Sequence, residues 1–318
     1  MTIGIAVHGP MAGLATFKAL QAVERIARGA VGGFASFVVI TADGELLRAE
    51  TQRGGTGTLF TAGEATGIAP PPAFAEAPMA ALMSSGPDRP APLSQFTPAA
   101  AGVGLVTGHR LPNMPGVDGV PLNRAVLDRM ARGEPAPEAV RSELARNPDA
   151  DAGIVALDIA GRIFAGNSAR VARRPDVGRA VLRAAGSAMA VAVLHNAIHP
   201  HGPLAQLAAA IALDIIAPID RADIWVRLDA GTPVRLGAEN CVIVDGAHVA
   251  RTVTVSEPGW LIGRREGAVV GFAAAVRCGD ELLGHATAEP YGVVEGGRIV
   301  SLSGASSADL GVRLIRPA

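Results

Sequence analysis

Two strand–turn–strand segments constrain the fold of this 318-residue chain most strongly. In the first, strand-like residues 34–40 and 45–51 are joined by Thr-Ala-Asp-Gly. In the second, residues 153–168 alternate in the same way around a turn at 158–161. Short turns of an acidic residue and glycine are typical of hairpins between antiparallel strands. Each segment therefore predicts an antiparallel pair rather than two strands joined by a crossover.

Helical patterns lie around these hairpins. Apolar residues recur at helical spacing over 11–28, two shorter helices are predicted at 121–132 and 136–146, and an apolar helix at 203–216. Because hairpins interleaved with helices favour sheets covered by helices, we predict an α+β fold. Its architecture would be layered, with antiparallel sheets covered by flanking helices.

The C-terminal part differs from the rest of the chain. Beyond Asp223 the sequence alternates like strands, with hairpin signals at 244–246, 278–280 and 295–297. We therefore divide the chain into residues 1–185 and 186–318. The second part is a helix plus a β-rich region, which forms either a separate domain or the completion of the same sandwich. Within the first part, the proline-rich residues 61–99 form an excursion that is either ordered or a mobile lid.

Composition excludes several classes of function. The net charge is −1, no basic run is present, and aromatic residues are 3% of the chain, so we expect no nucleic-acid partner. No apolar stretch reaches the length of a bilayer span, and the first residues lack a charged leader, so we expect no membrane partner. Two cysteines, Cys241 and Cys278, are too few for a disulfide framework, which favours a cytoplasmic location.

Three stretches of the first part resemble a known superfamily. They are Met1-Thr-Ile-Gly-Ile-Ala-Val7, Gly133-Glu-Pro-Ala-Pro-Glu-Ala-Val140, and Gly153-Ile-Val-Ala-Leu-Asp-Ile-Ala-Gly-Arg162. The segment from 133 to 162 is similar to N-terminal-nucleophile hydrolases, in which a Glu-Ala-Val helix precedes an Asp-x-x-Gly-Arg hairpin. The resemblance extends over residues 1–185. It implies a four-layer αββα sandwich and hydrolysis of an amide or cyclic amide in a small-molecule substrate.

The resemblance also implies which residue reacts. A Thr, Ser or Cys at a free amino terminus is the nucleophile, and its own α-amine is the general base. Thr2 is the candidate, because removal of Met1 would place it at the amino terminus. Its α-amine could act as the base, since an α-amine with a pKa of about 7.7–8.0 is partly neutral at pH 7. Lys18 on the first helix is the candidate partner, because a nearby ammonium would lower the pKa of the amine.

Further residues are candidates for the remaining roles. Asn167 could donate its amide to a developing oxyanion, and Ser168 beside it is either a substrate contact or a helix cap. Gly55 and Thr56, in Arg53-Gly-Gly-Thr-Gly-Thr58, could supply backbone N–H groups to an oxyanion. His195 belongs to a histidine cluster that suits a general base or a substrate-binding group.

That cluster supports an alternative function. His195, His199 and His201 are spaced so that pairs share a face of a helix or a strand, which is compatible with zinc or another divalent metal. The main hypothesis needs no cofactor, whereas a metal-dependent enzyme would use these three histidines. A third possibility is a non-catalytic ligand-binding protein. In that third case the apolar, β-rich C-terminal part would mediate oligomerisation. We expect a homo-oligomer.

Overall fold

A computed structural model describes residues 1–29, 31–184, 186–218 and 222–315. The chain divides into two compact units, Met1–Pro218 and Ile219–Ala318. Among the described residues, no helix combines the length and apolarity needed to cross a lipid bilayer.

The first unit contains two large sheets, a small two-stranded sheet and the helices that cover the large ones. Its strands are β1 (Thr2–His8), β2 (Ala35–Ile40), β3 (Leu46–Thr51), β4 (Thr61–Ala62), β5 (Ala65–Thr66), β6 (Met79–Ser85), β7 (Ala99–Ala100), β8 (Gly104–Arg110), β9 (Ala152–Asp158), β10 (Ile163–Asn167), β11 (Val177–Arg183) and β12 (Ala190–Asn196). Its helices are α1 (Ala12–Ile26), α2 (Thr56–Leu59), α3 (Pro72–Ala75), α4 (Leu122–Ala131), α5 (Ala136–Arg146), α6 (Ala169–Ala172) and α7 (His201–Ile216), with a 3-10 turn at Leu93–Phe96.

The layers follow from alternation along the strands. The first sheet has the order β11-β12-β1-β6-β2-β3 and the second β10-β9-β8-β7, and every pairing is antiparallel. Ile3, Ile5 and Val7 of β1 share an apolar cluster with α1 and α7, whereas Ala6 belongs to a cluster formed with β8, β9 and β10. The opposite face of the second sheet packs on α4 and α5. The unit is therefore an αββα sandwich of antiparallel sheets, as predicted.

The Asp-x-x-Gly-Arg hairpin is held by one buried carboxylate. Asp158 accepts hydrogen bonds from the backbone N–H groups of Ala160 and Arg162, which fixes the turn between β9 and β10. The same carboxylate accepts the N–H of Ala136 in the first turn of α5, where helical N–H groups lack partners. Asp158 thus ties the hairpin to the start of the preceding helix, and the helix predicted at 136–146 is confirmed.

One alternative about organisation is confirmed, and one predicted boundary is corrected. The proline-rich residues 61–99 are ordered, and within them Met79–Ser85 forms β6, a central strand between β1 and β2. The boundary expected after residue 185 lies instead after Pro218. The physical reason is that β12 pairs with both β1 and β11, and α7 packs on that sheet, so both complete the first sandwich.

The second unit is composed of strands, as the alternation beyond Asp223 predicted. They are β13 (Ile224–Asp229), β14 (Val234–Leu236), β15 (Cys241–Val244), β16 (Ala250–Val255), β17 (Arg264–Ala268), β18 (Ala275–Cys278), β19 (Glu281–Ala286), β20 (Tyr291–Glu295), β21 (Arg298–Leu302) and β22 (Ser307–Leu314), with a 3-10 turn at Pro258–Leu261. The hairpins expected at 244–246, 278–280 and 295–297 join β15 to β16, β18 to β19 and β20 to β21. A seven-stranded and a three-stranded sheet enclose one valine-rich core.

Glycines let the two sheets of the first unit approach closely. A Cβ added to Gly4 in β1 would lie 2.4 Å from the carbonyl oxygen of Gly108 in β8. Backbone therefore faces backbone where a side chain would hold the sheets apart, and this contact lies two residues from Thr2. Within the second sheet, Gly153 in β9 lies directly opposite His109 in β8, and a Cβ on Gly153 would lie 2.2 Å from Nε2 of His109, so this glycine leaves room for the ring.

We predict that Gly4→Ala destabilises the first unit by about 1–3 kcal/mol, because the added methyl group must push two backbones apart. Both tryptophans and the single tyrosine lie in the second unit, so fluorescence does not report on β1. Hydrogen exchange of a peptide covering β1 is the suitable measurement. Gly202→Ala in α7, where an added Cβ meets nothing within 4 Å, is the control and changes stability by no more than about 1 kcal/mol. Equal protection of β1 in both variants would contradict the close approach.

Candidate functional site

Three polar residues form a row across the first sheet where β1 begins. Thr2 lies directly opposite Ser85 of β6 on one side and Asn196 of β12 on the other. Alternation places all three side chains on the face that packs against the second sheet. Directly opposed residues of antiparallel strands have Cβ atoms about 4.5–5.5 Å apart, so the three side chains are close neighbours.

The Thr2 hydroxyl is held by two hydrogen bonds. It donates to Oδ1 of Asn196 at 2.6 Å and accepts the backbone N–H of Arg110 at the end of β8. Thr2 is only 5% exposed. Arg110 has φ +62°, a left-handed conformation that is uncommon for a side-chain-bearing residue and concentrates at functional sites. Its guanidinium is held by Asp151, so the residue that donates to Thr2 is fixed at both ends.

His109 and Asn167 extend the polar cluster on the second sheet. Nε2 of His109 donates to Oδ1 of Asn167 at 2.7 Å. Burial lowers the pKa of His109 to about 4, against the opposing effect of the Asn167 and Asn196 side chains. Nδ1 of His109 nevertheless lies outside hydrogen-bond geometry with every described residue. His109 is therefore neutral at pH 7 and positions Asn167 as a hydrogen-bond donor.

Positive charges surround the residue that precedes Thr2. Burial lowers the pKa of the Met1 α-amine, and the charges of Arg89, Arg110 and Arg174 lower it further, against the opposing effect of Asp176. The Met1 carbonyl oxygen accepts a hydrogen bond from the Ser85 hydroxyl. Ser85 in turn accepts one from Nη2 of Arg89 at 2.8 Å. An amine at this end of β1 is thus biased towards its neutral form.

The structure brings only part of the predicted site together. Thr2 and Asn167 both face the space between the sheets, and His109 and Asn196 lie in the same cluster. Lys18 is not brought to Thr2: it lies on α1, which covers the other face of the first sheet, and its ammonium donates to Gln21 at 3.0 Å.

His195 also points away from Thr2. It neighbours Asn196 on β12 and so faces the helix layer, where a Cβ on Gly178 would collide with its ring. Burial lowers the pKa of His195 to about 4, and the charges of His109 and His201 lower it further. The His201 backbone opposes this effect, although neither ring nitrogen of His195 reaches hydrogen-bond geometry with a described residue.

The glycine-rich loop already holds a carboxylate. Both the backbone N–H and the hydroxyl of Thr56 donate to Glu24 of α1, and a Cβ on Gly55 would lie 2.1 Å from Glu24 Oε1. Gly55 has φ +50° and donates its own N–H to Gly33. Burial raises the pKa of Glu24, against the hydrogen bonds from Thr56. Thr56 therefore binds the Glu24 carboxylate and Gly55 a backbone carbonyl, so neither contributes to the Thr2 cluster.

Ser168 is a helix cap. Its hydroxyl oxygen accepts the N–H of Val171 at 3.1 Å at the start of α6 and donates to the carbonyl of Ala150 at 2.6 Å. This confirms the capping alternative for Ser168.

The histidine cluster does not form a ligand set. His199 and His201 stack with ring centroids 3.7 Å apart, and Nδ1 of His201 is 3.0 Å from the carbonyl oxygen of Ile198. Within the part of the chain that the structure describes, no three His, Cys, Asp or Glu side chains are grouped to hold a metal ion. His195 is buried on β12 and does not form a ligand group with His199 and His201.

Asn196, Ser85 and His109 were missed by sequence reasoning, although a signal existed for the first. Asn196 directly follows the candidate His195, and adjacent residues of an extended segment lie on opposite faces. Asn196, and not His195, is the residue that shares a face of the sheet with Thr2. Nothing local pointed to Ser85, because its strand lay in the proline-rich segment, or to His109, which follows an ordinary strand.

The buried histidines predict a pH dependence of stability. His109 and His195 have folded-state pKa values of about 4, below the value of about 6.5 for an unfolded histidine. The unfolded chain therefore binds more protons between these values, so the stabilisation is complete above pH 6.5 and is lost as pH falls towards 4. We expect the free energy of unfolding to drop by about 1–2 kcal/mol per histidine between pH 7 and pH 5.

The change in the free energy of unfolding with pH is measured by urea titration, with pulsed hydrogen exchange of peptides from β1 and β12 as the readout. His109→Gln should remove about half of it, and His195→Gln the other half. The exposed His285→Gln serves as the control and leaves it unchanged. A free energy of unfolding that is flat from pH 7 to pH 5 in the wild type would contradict the assignment.

Comparisons with known proteins give families without an assigned activity. Residues 2–225 match a family described as Domain of unknown function (DUF6963), and residues 231–307 match another described as Domain of unknown function (DUF7259). No curated protein and no solved structure matches the chain. Because the first match spans well over half of the sequence, the chain belongs to the DUF6963 family.

Proposed function

We propose that the first unit hydrolyses a C–N bond, in an amide or cyclic amide of a small molecule, with Thr2 as an N-terminal nucleophile. The observation that carries the proposal is the Thr2 hydroxyl itself. It lies at the first position of a central strand, buried between two sheets and held by Asn196 and the Arg110 N–H. A hydroxyl placed for structure alone does not need a strained donor residue fixed by its own ion pair.

The reaction needs a free α-amine on Thr2, produced by cleavage of the Met1–Thr2 bond. The amine takes the hydroxyl proton as the Thr2 oxygen bonds to the substrate carbonyl carbon. The C–N bond then breaks, and the leaving nitrogen receives that proton. Water, deprotonated by the same amine, attacks the resulting ester, which releases the acid and restores the Thr2 hydroxyl. Water is the only co-reactant, so the proposal uses neither a metal nor an organic cofactor.

The surroundings favour the amine as a base. Burial and the positive charges of Arg89, Arg110 and Arg174 lower the pKa of the Met1 α-amine. The same groups would act on an amine one residue further along the strand. A general base works best when its pKa lies near the operating pH, so a lowered amine pKa suits this role.

Amide groups in the cluster would stabilise charge on the reacting oxygens. The Arg110 N–H donates to the Thr2 oxygen, which favours its deprotonated form. The side-chain amides of Asn196 and Asn167 are the available donors for the oxyanion, Asn196 directly beside Thr2 and Asn167 across the gap between the sheets. Neutral His109 is a positioning residue that orients Asn167.

The setting of the enzyme forms part of the proposal. Cys241 and Cys278 are free thiols, which suits the reducing conditions of the cytoplasm. Trp225 and Phe272 of the second unit are 62% and 63% exposed, and the proposed homo-oligomer would cover them.

A β-lactone tests the nucleophile without knowledge of the substrate, because ring opening transfers its acyl group to the Thr2 hydroxyl. We expect one acyl group per chain, mapped to Thr2 by mass spectrometry, on protein whose first residue is Thr2. Thr2→Ala should lower the labelling rate at least about a thousandfold, and Asn196→Ala about a hundredfold.

Thr2→Ser keeps both the hydroxyl and the amine and should still be labelled. Thr66→Ala, at an exposed threonine in β5, is the matched control and should react like the wild type. Met1 retained on protein that is nevertheless acylated, or labelling that persists in Thr2→Ala, would overturn the proposal.

A further inference from the structure

We propose that Arg89 and Ser85 bind a carboxylate of the substrate, so that the substrates are amides with a carboxylate a few bonds from the scissile carbonyl, such as N-acyl amino acids. This inference rests on the proposed function of Thr2. It adds the substrate class and a specificity-determining residue, Arg89, to that function.

The first support is a chain of two hydrogen bonds that leads from Arg89 to the carbonyl oxygen of Met1. Arg89 donates to Ser85 at 2.8 Å, and Ser85 donates to the carbonyl oxygen of Met1. Cleavage of the Met1–Thr2 bond removes that oxygen and frees the Ser85 hydroxyl for a ligand. The Met1 carbonyl therefore marks where a ligand oxygen would lie.

The second support is charge. Three arginines act on the Met1 α-amine, and two of them are paired: Arg110 with Asp151, and Arg174 with Asp176. Arg89 has no carboxylate within ion-pair distance among the described residues. Asp88 beside it is paired with Arg53. The half-buried Arg89 thus leaves one positive charge uncompensated next to the nucleophile.

The third support is reach. Ser85 lies directly opposite Thr2, with Cβ atoms of such pairs about 4.5–5.5 Å apart. A group bound by Ser85 and Arg89 is therefore only a few bonds from a carbonyl carbon attacked by Thr2. A guanidinium presents a planar fork that matches a carboxylate, and the hydroxyl adds one more donor. Arg89 and Ser85 together would orient a carboxylate of the substrate and neutralise its charge.

Two β-lactones that differ only in one group test this: one carries a free carboxylate beside the ring, and the other carries its methyl ester. The labelling rate of Thr2 is measured for each by intact-protein mass spectrometry. We expect the wild type to react about tenfold faster with the carboxylate probe, the ratio typical of one charge-assisted hydrogen bond. Arg89→Met should bring the ratio to about one. It also removes one of the positive charges that act on the amine, which changes the rates with both probes by the same factor, so the ratio and not the absolute rate is the readout.

Arg173→Met, at an exposed arginine of the same unit, is the matched control and should keep the preference. Arg89→Lys retains the positive charge and should retain part of the preference for the carboxylate probe. This variant keeps the inference testable if Arg89→Met does not fold. Equal rates with the two probes in the wild type, or an undiminished preference in Arg89→Met, would overturn the carboxylate inference alone. Absence of Thr2 labelling by either probe would overturn the proposed function, and this inference with it.

Discussion

The close packing of two antiparallel sheets around the start of β1 is the constraint on which the rest of the first unit depends. Gly4 lets the backbone of β1 approach that of β8, and Gly153 leaves room for the His109 ring. Polar groups enclosed there have little access to water, so they must satisfy one another. The hydrogen bonds of Thr2, Asn196, His109 and Asn167 meet that requirement in part. Nδ1 of His109, which has no hydrogen-bond partner among the residues that the structure describes, is one remaining cost.

Electrostatics gives this cluster its chemical character. The cluster itself holds no ionised side chain, since burial keeps His109 neutral, whereas arginines stand around the Met1 end of the strand. A neutral, water-excluded interior with positive charge at one side favours an uncharged amine and attracts an anion. The proposed general base and the proposed carboxylate site therefore have a common cause in the placement of Arg89, Arg110 and Arg174.

Much of the sandwich could be predicted because local patterns determine it. The hairpins around 41–44 and 158–161, the helix at 136–146 and the strands beyond Asp223 were all visible as turn chemistry and periodicity. Strand β6 was missed because prolines on both sides masked a short run of small apolar residues, and its role as a central strand depends on pairing with distant strands. The domain boundary was wrong for the same reason, since β12 joins a sheet begun at residue 2.

The site was predictable only where it rests on local sequence. Thr2 and Asn167 came from a resemblance and from residue chemistry, whereas Ser85, Arg110 and Asn196 are brought to Thr2 by strand register. Lys18 was selected because an ammonium on the first helix would lower the pKa of the amine, yet the sheet separates it from the Thr2 side chain. Which face a residue occupies could be inferred, but which strands are neighbours could not.

Periodate oxidation tests the central claim most directly, because it cleaves the bond between a free α-amine carbon and an adjacent hydroxyl carbon, a pair found only at an N-terminal threonine or serine. The account predicts that brief treatment converts Thr2 to a glyoxylyl group, seen as a mass change confined to the first peptide. It also predicts that the treated protein is no longer acylated by a β-lactone. Protein that resists periodate and is still acylated would show that no free Thr2 amine takes part, and would contradict the account.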